Sequence, residues 1–202
     1  MIQAVLFDYG GVIGHLDQEE VARLEEKYGL PAGALFSALY DIPQWREIEL
    51  GRGSEREWLK AVLERLYELA GRPIPGIRHE WPKIWRGLNE DVVSLARRLR
   101  PRYKVGLLSN ATENLEEMLL NHHGIIDLFD VIINSARVGL AKPDVRIYHL
   151  AAERLGVPAS ACVFTDDIPH NVEGARAAGM RAFQFQGAAH LESELRALGV
   201  EW

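Results

Sequence analysis

Ile2-Gln3-Ala4-Val5-Leu6-Phe7-Asp8-Tyr9-Gly10-Gly11-Val12 opens on a largely apolar run and ends on an acid followed by two glycines. A short run that is apolar on successive positions reads as a strand covered on both faces, the habit of parallel sheets. Four more runs read the same way: Tyr103 to Ser109, Val131 to Asn134, Ala161 to Thr165 and Arg181 to Phe185. Between the later runs the apolar spacing becomes helical, over Glu113 to His122, Asp144 to Leu155 and Asn171 to Ala178. Gly156 and Gly179 follow two of these as C-terminal stops. Strand alternating with helix predicts an α/β fold with a doubly wound parallel sheet.

The first connection breaks that rhythm. Between Phe7 and Tyr103 lie 95 residues, where a crossover needs about a dozen. Asp17 with Glu20, and Ser54 with Glu57, have capping-box spacing ahead of periodic apolar positions. The second pair predicts a helix with Trp58, Val62, Leu66 and Leu69 on one face. An inserted helical domain is therefore expected over residues 16–84, and an α/β core over residues 1–15 and 85–202. Val92 to Arg100 would return the chain to the sheet. Trp45, Trp58, Trp81 and Trp85 fall in or beside the insert, where most of them are expected to form its core.

Composition bounds the function. The chain has 202 residues, 48% hydrophobic and 26% charged, an ordinary globular balance that supplies a full core. A net charge of −6 argues against nucleic acid, whose phosphates want a basic face. The one thiol, Cys162, sits in apolar Ala161-Cys162-Val163-Phe164 and is expected to be buried. A single cysteine builds neither a disulfide framework nor a cysteine-rich zinc site. The N-terminus lacks the basic start of a signal peptide, and no run is long and apolar enough to span a bilayer. A cytoplasmic protein without a membrane partner is the expectation.

Open α/β sheets bind ligands outside the carboxyl ends of their strands. Asp8 follows the first strand, Ser109 and Asn110 end the second, and Asp166 and Asp167 follow the fourth. Lys142, in Ala141-Lys142-Pro143-Asp144, opens the helix after the third. Each alone reads as a cap, a turn or a solvated helix start; together on one rim they suggest phosphoryl transfer. Asp8 could attack phosphorus in line and form an acyl-phosphate. Its approach to a phosphate dianion requires offsetting charge, and Mg²⁺ held by Asp8 and Asp167 would provide it. Lys142 adds fixed positive charge, while the Ser109 hydroxyl and backbone N–H groups near Asn110 and Gly11 can hold phosphoryl oxygens. Gly10 and Gly11 let the backbone approach an anion closely.

In this order, Asp8-Tyr9-Gly10-Gly11-Val12, Leu108-Ser109-Asn110, Lys142-Pro143 and Phe164-Thr165-Asp166-Asp167 with Asn171 resemble the four motifs of the haloacid dehalogenase superfamily. The helical insert is similar to that family's smaller cap. The resemblance spans nearly the whole chain. It implies Asp8 as nucleophile, Ser109 and Lys142 as phosphate-stabilising residues and Asp167 as metal ligand. It further implies that the Gly10 carbonyl completes the metal site and that Asp166 and Asn171 orient metal-bound water or Lys142. Within the superfamily the chain looks most similar to the branch that holds a bacterial glucose-1-phosphate phosphatase and the N-terminal phosphatase domain of soluble epoxide hydrolase. A small phosphorylated metabolite is the implied substrate, with sugar phosphates the leading class.

One departure stands out. Phosphatases of this superfamily usually carry a second aspartate two residues after the nucleophile, and here that position is Gly10. Protonation of the leaving group is then unassigned, and His15 is a candidate on the grounds of its imidazole and its place at the entry to the insert. His122-His123 reads as a favourable charge at a helix end, and His149 and His170 as helix surface. Substrate selection is expected around Trp45, Arg46, Glu49 and Arg52. Two rivals follow from Gly10: a 2-haloacid dehalogenase, in which Asp8 attacks carbon without metal, and a catalytically weak phosphometabolite-binding protein. The paired Asp166-Asp167 favours the metal-dependent phosphatase over both.

Overall fold

The computed structural model describes residues 1–202 apart from the side chain of Arg86. The strands are β1 (Ala4–Phe7), β2 (Gly14–Leu16), β3 (Trp85–Leu88), β4 (Lys104–Ser109), β5 (Val131–Asn134), β6 (Cys162–Asp166) and β7 (Arg181–Gln184). Five of them form one parallel sheet in the order β5-β4-β1-β6-β7. These are the five runs expected from the sequence. The chain leaves β1 toward β4 and β5 on one side and returns to β6 and β7 on the other, so the order reverses beside β1, where such sheets open a crevice.

Period-two alternation sorts the strands between two helical layers. Val5 and Phe7 pack with α6 (Glu90–Leu99) and α11 (Ala188–Ala197), through Val92, Leu95, Leu99, Leu191 and Leu195. Ala4 and Leu6 point the other way, onto Ile147, Tyr148 and Ala151 of α9 (Val145–Leu155) and Ala175 of α10 (Pro169–Ala177). Cys162 lies in that second layer, where burial pushes its thiol up to about 11, so it is an inert apolar filler. Among the described residues no helix is long and apolar enough to cross a membrane.

Two helical expectations need correction. Glu113 to His122 is α-helical only over α7 (Leu115–Glu117) and continues as a π-helical turn over Met118–His122. Lys142 does not open a helix: the short α8 (Ser135–Val138) follows β5, and Lys142 sits in the loop before Asp144, whose carboxylate caps α9 by accepting from the Arg146 N–H.

Between β2 and β3 lie α1 (Gln18–Tyr28), α2 (Ala34–Tyr40), α3 (Pro43–Ile48), α4 (Glu55–Ala70) and α5 (Ile77–Glu80). Asp17 caps α1 by accepting from the N–H groups of Glu19 and Glu20, and Ser54 caps α4 by accepting from that of Glu57. The Ser54 hydroxyl in turn donates to the Glu57 carboxylate at 2.7 Å, instead of that carboxylate meeting a backbone N–H. Leu24, Leu35, Leu39, Trp58, Val62, Leu66, Ile77 and Ile84 close a hydrophobic cluster that uses no residue of the parallel sheet. Trp58 and Trp81 are buried in it, Trp45 packs against it, and Trp85 is exposed on β3.

The two chain crossings between insert and sheet run side by side. β2 pairs antiparallel with β3, joining Gly14 to Leu88 and His15 to Gly87, with a bulge between His15 and Leu16. The insert also meets the α/β unit at Gly51, which has a φ of 70° and whose Cα faces the carbonyl of Ala136 in α8 so closely that a β-carbon there would overlap it. Gly53, two residues on, has no such restriction: a β-carbon there meets nothing nearer than 3.4 Å. Gly51→Ala is therefore expected to lower unfolding free energy by about 1–3 kcal/mol, through left-handed strain and the displaced contact. Gly53→Ala should stay within about 0.5 kcal/mol. Urea unfolding of both variants checks this, and equal effects would remove the Gly51–Ala136 seat.

Candidate active site

The carboxyl ends of β1, β4 and β6 bring together the polar residues that the sequence scatters over 160 positions, from Asp8 to Asp167. Lys142 is 2% exposed, and its Nζ lies 2.8 Å from Asp8 Oδ1 and 2.6 Å from Asp166 Oδ2. A buried ammonium costs several kcal/mol to desolvate, and two carboxylates on it offset that cost. Asp8 Oδ1 also accepts from the Tyr9 N–H at 2.7 Å. Asp166 is fully engaged: Oδ1 accepts from the Ile168 N–H at 2.8 Å, and the Asn171 amide donates to both oxygens at 3.1 Å. These bonds tie it to Lys142 and to the start of α10.

Asp167 is different. Its Oδ1 is buried and has no hydrogen-bond partner, an arrangement that is costly unless something positive satisfies it. Gly11, at φ 77°, leaves the space beside that carboxylate, which any β-carbon would fill. Single oxygens of Asp8, Asp166 and Asp167 lie within 4.8 Å of one another. Three carboxylates against one ammonium leave two negative charges, the complement of one divalent cation. With Asp166 already engaged, Asp8 and Asp167 are the side chains that fit a hard, oxygen-seeking ion such as Mg²⁺. Burial pushes Asp8 up to about 7, with Asp166 and Asp167 adding to the rise and Lys142 opposing it. Burial and then Asp166 raise Asp167 as well.

Ser109 is buried at the end of β4, opposite Asn134 of β5. Asn110 does not act as a helix cap. Its Oδ1 accepts from the Lys142 N–H at 2.8 Å and its Nδ2 donates to the Lys142 carbonyl at 3.1 Å, so it fixes the lysine loop. The side chain is thereby occupied, which leaves only its backbone for the expected phosphate contact. Gly10 has no positive φ and a β-carbon on it would meet nothing within 4 Å. His15 lies exposed on β2, and His149 and His170 are exposed as expected. His123 departs from the helix-dipole reading: its Nε2 is 2.9 Å from the hydroxyl of Tyr9, the residue that follows Asp8, and burial, with His122 adding to it, lowers its pKa and so favours the neutral ring.

The insert closes over this rim. Glu49, at the end of α3, is 3% exposed and accepts from Asn110 Nδ2 at 3.0 Å and from Arg46 Nη1 at 3.1 Å. The Tyr40 hydroxyl, from α2, lies near enough to Asp8 and Asp167 that their charges add to the effect of burial in raising its pKa. Trp45 is spent on aromatic contacts, edge-on to Tyr40 and tilted against Trp58, and Arg52 lines a groove made only of insert residues. Three participants were not singled out from sequence. Tyr40 carried no signal beyond helical spacing. Asn134 and Ser135 hold the loop after β4 through bonds to the Thr112 carbonyl and the Ala111 N–H, and an Asn-Ser pair at a strand end was the only hint of them.

With this geometry in hand, the matches to known proteins are decisive for the family. The model of haloacid dehalogenase-like hydrolases matches residues 2–179. The chain belongs to that family. It is 32% identical to a Mycobacterium tuberculosis phosphatase, over 90% of this chain and 86% of that one. It is 26% identical to an (S)-2-haloacid dehalogenase of a Pseudomonas strain, over 87% and 75%. A haloacid dehalogenase-family enzyme from Bacteroides thetaiotaomicron, solved with magnesium and inorganic phosphate, superposes with a TM-score of 0.71 at 21% identity, covering 95% of this chain and 99% of that one.

The raised Asp8 sets a pH dependence for this hydrolase when metal-free. An aspartate whose folded pKa lies above its unfolded value costs stability once it ionises, so the penalty grows as pH rises from 3.8 to about 7 and is constant above. Asp8→Asn removes that charge at nearly the same shape. In EDTA, the variant should gain stability over the parent as pH rises through this window, and should match it at pH below 4. Urea midpoints at three pH values measure the difference; a difference independent of pH would mean that Asp8 is not under this strain.

Proposed function

We propose that this hydrolase is a Mg²⁺-dependent phosphomonoesterase that acts on a small phosphorylated metabolite, a sugar phosphate by preference, through an aspartyl-phosphate on Asp8. The observation that carries the reading is the unpartnered buried oxygen of Asp167 beside the Asp8–Lys142 pair. A 2-haloacid dehalogenase has no use for such a site, because the substrate's own carboxylate would meet surplus negative charge. The named phosphatase relative and the magnesium- and phosphate-bound structural neighbour support the same choice.

In this reading Asp8 Oδ1 is fixed by the Tyr9 N–H and Lys142, which leaves Oδ2 to make the in-line attack. Lys142 holds its charge near the phosphoryl group, and Asp166 and Asn171 hold Lys142 in place. Ser109 and the backbone N–H of Asn110 take the phosphoryl oxygens, whereas the Gly11 N–H, expected there from the sequence, is already donated to the Gly14 carbonyl at 2.8 Å and leaves Gly11 to give space only. Asp8, Asp167 and the Gly10 carbonyl would hold Mg²⁺, whose positive charge offsets both the carboxylates and the phosphate. Residues 16–84 would act as a cap domain on a core of residues 1–15 and 85–202, rocking as one body on the β2–β3 ribbon to admit substrate.

A phosphate-release screen over metabolites and an aryl phosphate, with and without Mg²⁺, tests the proposal. Phosphate is expected only with Mg²⁺. Asp8→Asn should reduce release to a trace in a folded protein, and Asp167→Asn should shift the Mg²⁺ requirement to much higher concentration. Halide release from a 2-haloacid without metal would replace this reading with the dehalogenase, and release by neither route would leave a binding protein.

A further inference from the structure

Hydrolysis of an alkyl phosphate needs a proton for the departing alkoxide, and Gly10 supplies none. The groups around Asp8 can be taken in turn. Lys142 and Asp166 neutralise one another in the core, and Asp167 has the metal-facing role assigned above. The Tyr9 hydroxyl is engaged with His123 Nε2 at 2.9 Å and pushed up to about 12 by burial, and burial followed by Asp8 and Asp167 raises Tyr40, so both phenols give up a proton less readily than a carboxyl group does. His15 is exposed on the ribbon. Glu49 is what remains on the cap side.

We propose that Glu49 is the acid and base of this reaction, delivered from the cap instead of from the loop that carries the nucleophile. The proposal rests on the phosphatase reading above. Its geometry is a chain of contacts: Asp8 Oδ1 to Lys142 Nζ at 2.8 Å, the Lys142 backbone to the Asn110 amide at 2.8 and 3.1 Å, and Asn110 Nδ2 to Glu49 Oε2 at 3.0 Å. Asn110 directly follows β4, the strand beside β1, so the carboxyl group stands over the same rim as the nucleophile. The neighbouring Gly51 turn seats this segment against the Ala136 carbonyl.

The surroundings suit an acid that must give and retake a proton. Burial raises the Glu49 pKa above its usual range, while Arg46, the Asn110 amide and Lys142 pull it back. These are the charged and polar groups that face it, Arg46 from its own segment and the other two from the core. Arg46 is 66% exposed, so its hold is weakened by water.

The step balances as follows. An Asp8 carboxylate oxygen bonds to phosphorus, the bond from phosphorus to the ester oxygen breaks with its electron pair on oxygen, and that oxygen takes the Glu49 proton to leave as the alcohol. Water then attacks the aspartyl-phosphate and gives its proton to the Glu49 carboxylate. Phosphate departs, and Asp8 and Glu49 return to their starting forms.

The test compares an alkyl phosphate with a nitrophenyl phosphate, whose phenolate leaves without protonation. Glu49→Gln keeps the size of the side chain and an oxygen for Asn110. It should lower alkyl turnover by about 10²-fold or more and aryl turnover far less, since general acid catalysis is worth ~10²–10⁴-fold. Adding Gly10→Asp to Glu49→Gln should restore alkyl turnover, because position 10 has room for a side chain. A purely structural latch would not be rescued from there. Equal losses on both substrates, no loss on either, or failure of the rescue while aryl turnover persists would each overturn the assignment. Absence of aryl turnover in the parent enzyme would instead overturn the phosphatase reading and this inference with it.

Discussion

The buried ammonium of Lys142, clamped between Asp8 and Asp166, is the constraint around which the molecule is arranged. A charge with 2% exposure persists only if every neighbour is fixed in place, because an unpaired one costs about 3–5 kcal/mol. Asn110 fixes the lysine's backbone from β4, and Asn171 fixes Asp166 from α10. The Tyr148 hydroxyl anchors α10 in turn by donating to the Asn171 carbonyl at 2.7 Å. The bare face of Gly174 lets α10 approach the Pro143 carbonyl, where a β-carbon would stand only 2.5 Å away. Pairs of this kind place the two halves of the sheet around one charge.

The clamp leaves negative charge over: one ammonium faces three carboxylates. Burial, with the neighbouring carboxylates adding to it, pushes Asp8 toward protonation, and Asp167 keeps an oxygen without a partner. A divalent cation would relieve both. The cap meets this rim with the Tyr40 phenol and the Glu49 carboxyl group, the first near the proposed metal side and the second near the lysine side. Its anchors are equally divided: a two-stranded ribbon on one edge and the Gly51 seat on the other. In the proposed cap motion the ribbon would stay paired while the seat, the Asn110–Glu49 bond and the bond from Asn114 Nδ2 to Glu55 at 2.7 Å yield.

Much of this was legible in the chain. The five strands were readable because both faces of the sheet are covered, which leaves apolar residues on successive positions. The rim residues were readable because strand ends and motif order confine them. Where reading failed, the cause was tertiary. Asn110 has the chemistry of a cap, and only the fold reveals that its partner is a lysine 32 residues away. His123 has the spacing of a helix end, but the helix there relaxes into a π turn that swings the ring onto Tyr9. Among Trp45, Arg46, Glu49 and Arg52, spacing alone could not separate the one carboxylate that faces the core from residues packed or exposed on the cap. Tyr40 reads as one more apolar position of a short helix until that helix is laid over Asp8.

The central claim is that Asp8 becomes phosphorylated during turnover. Mixing the enzyme with Mg²⁺ and an aryl phosphate, quenching in acid within milliseconds and mapping the peptides by mass spectrometry tests it directly. One acid-stable, hydroxylamine-labile phosphoryl group is expected on the peptide that contains Asp8, gone once the substrate is exhausted. Steady release of phosphate with that peptide never modified, or with the phosphoryl group on another residue, would contradict it.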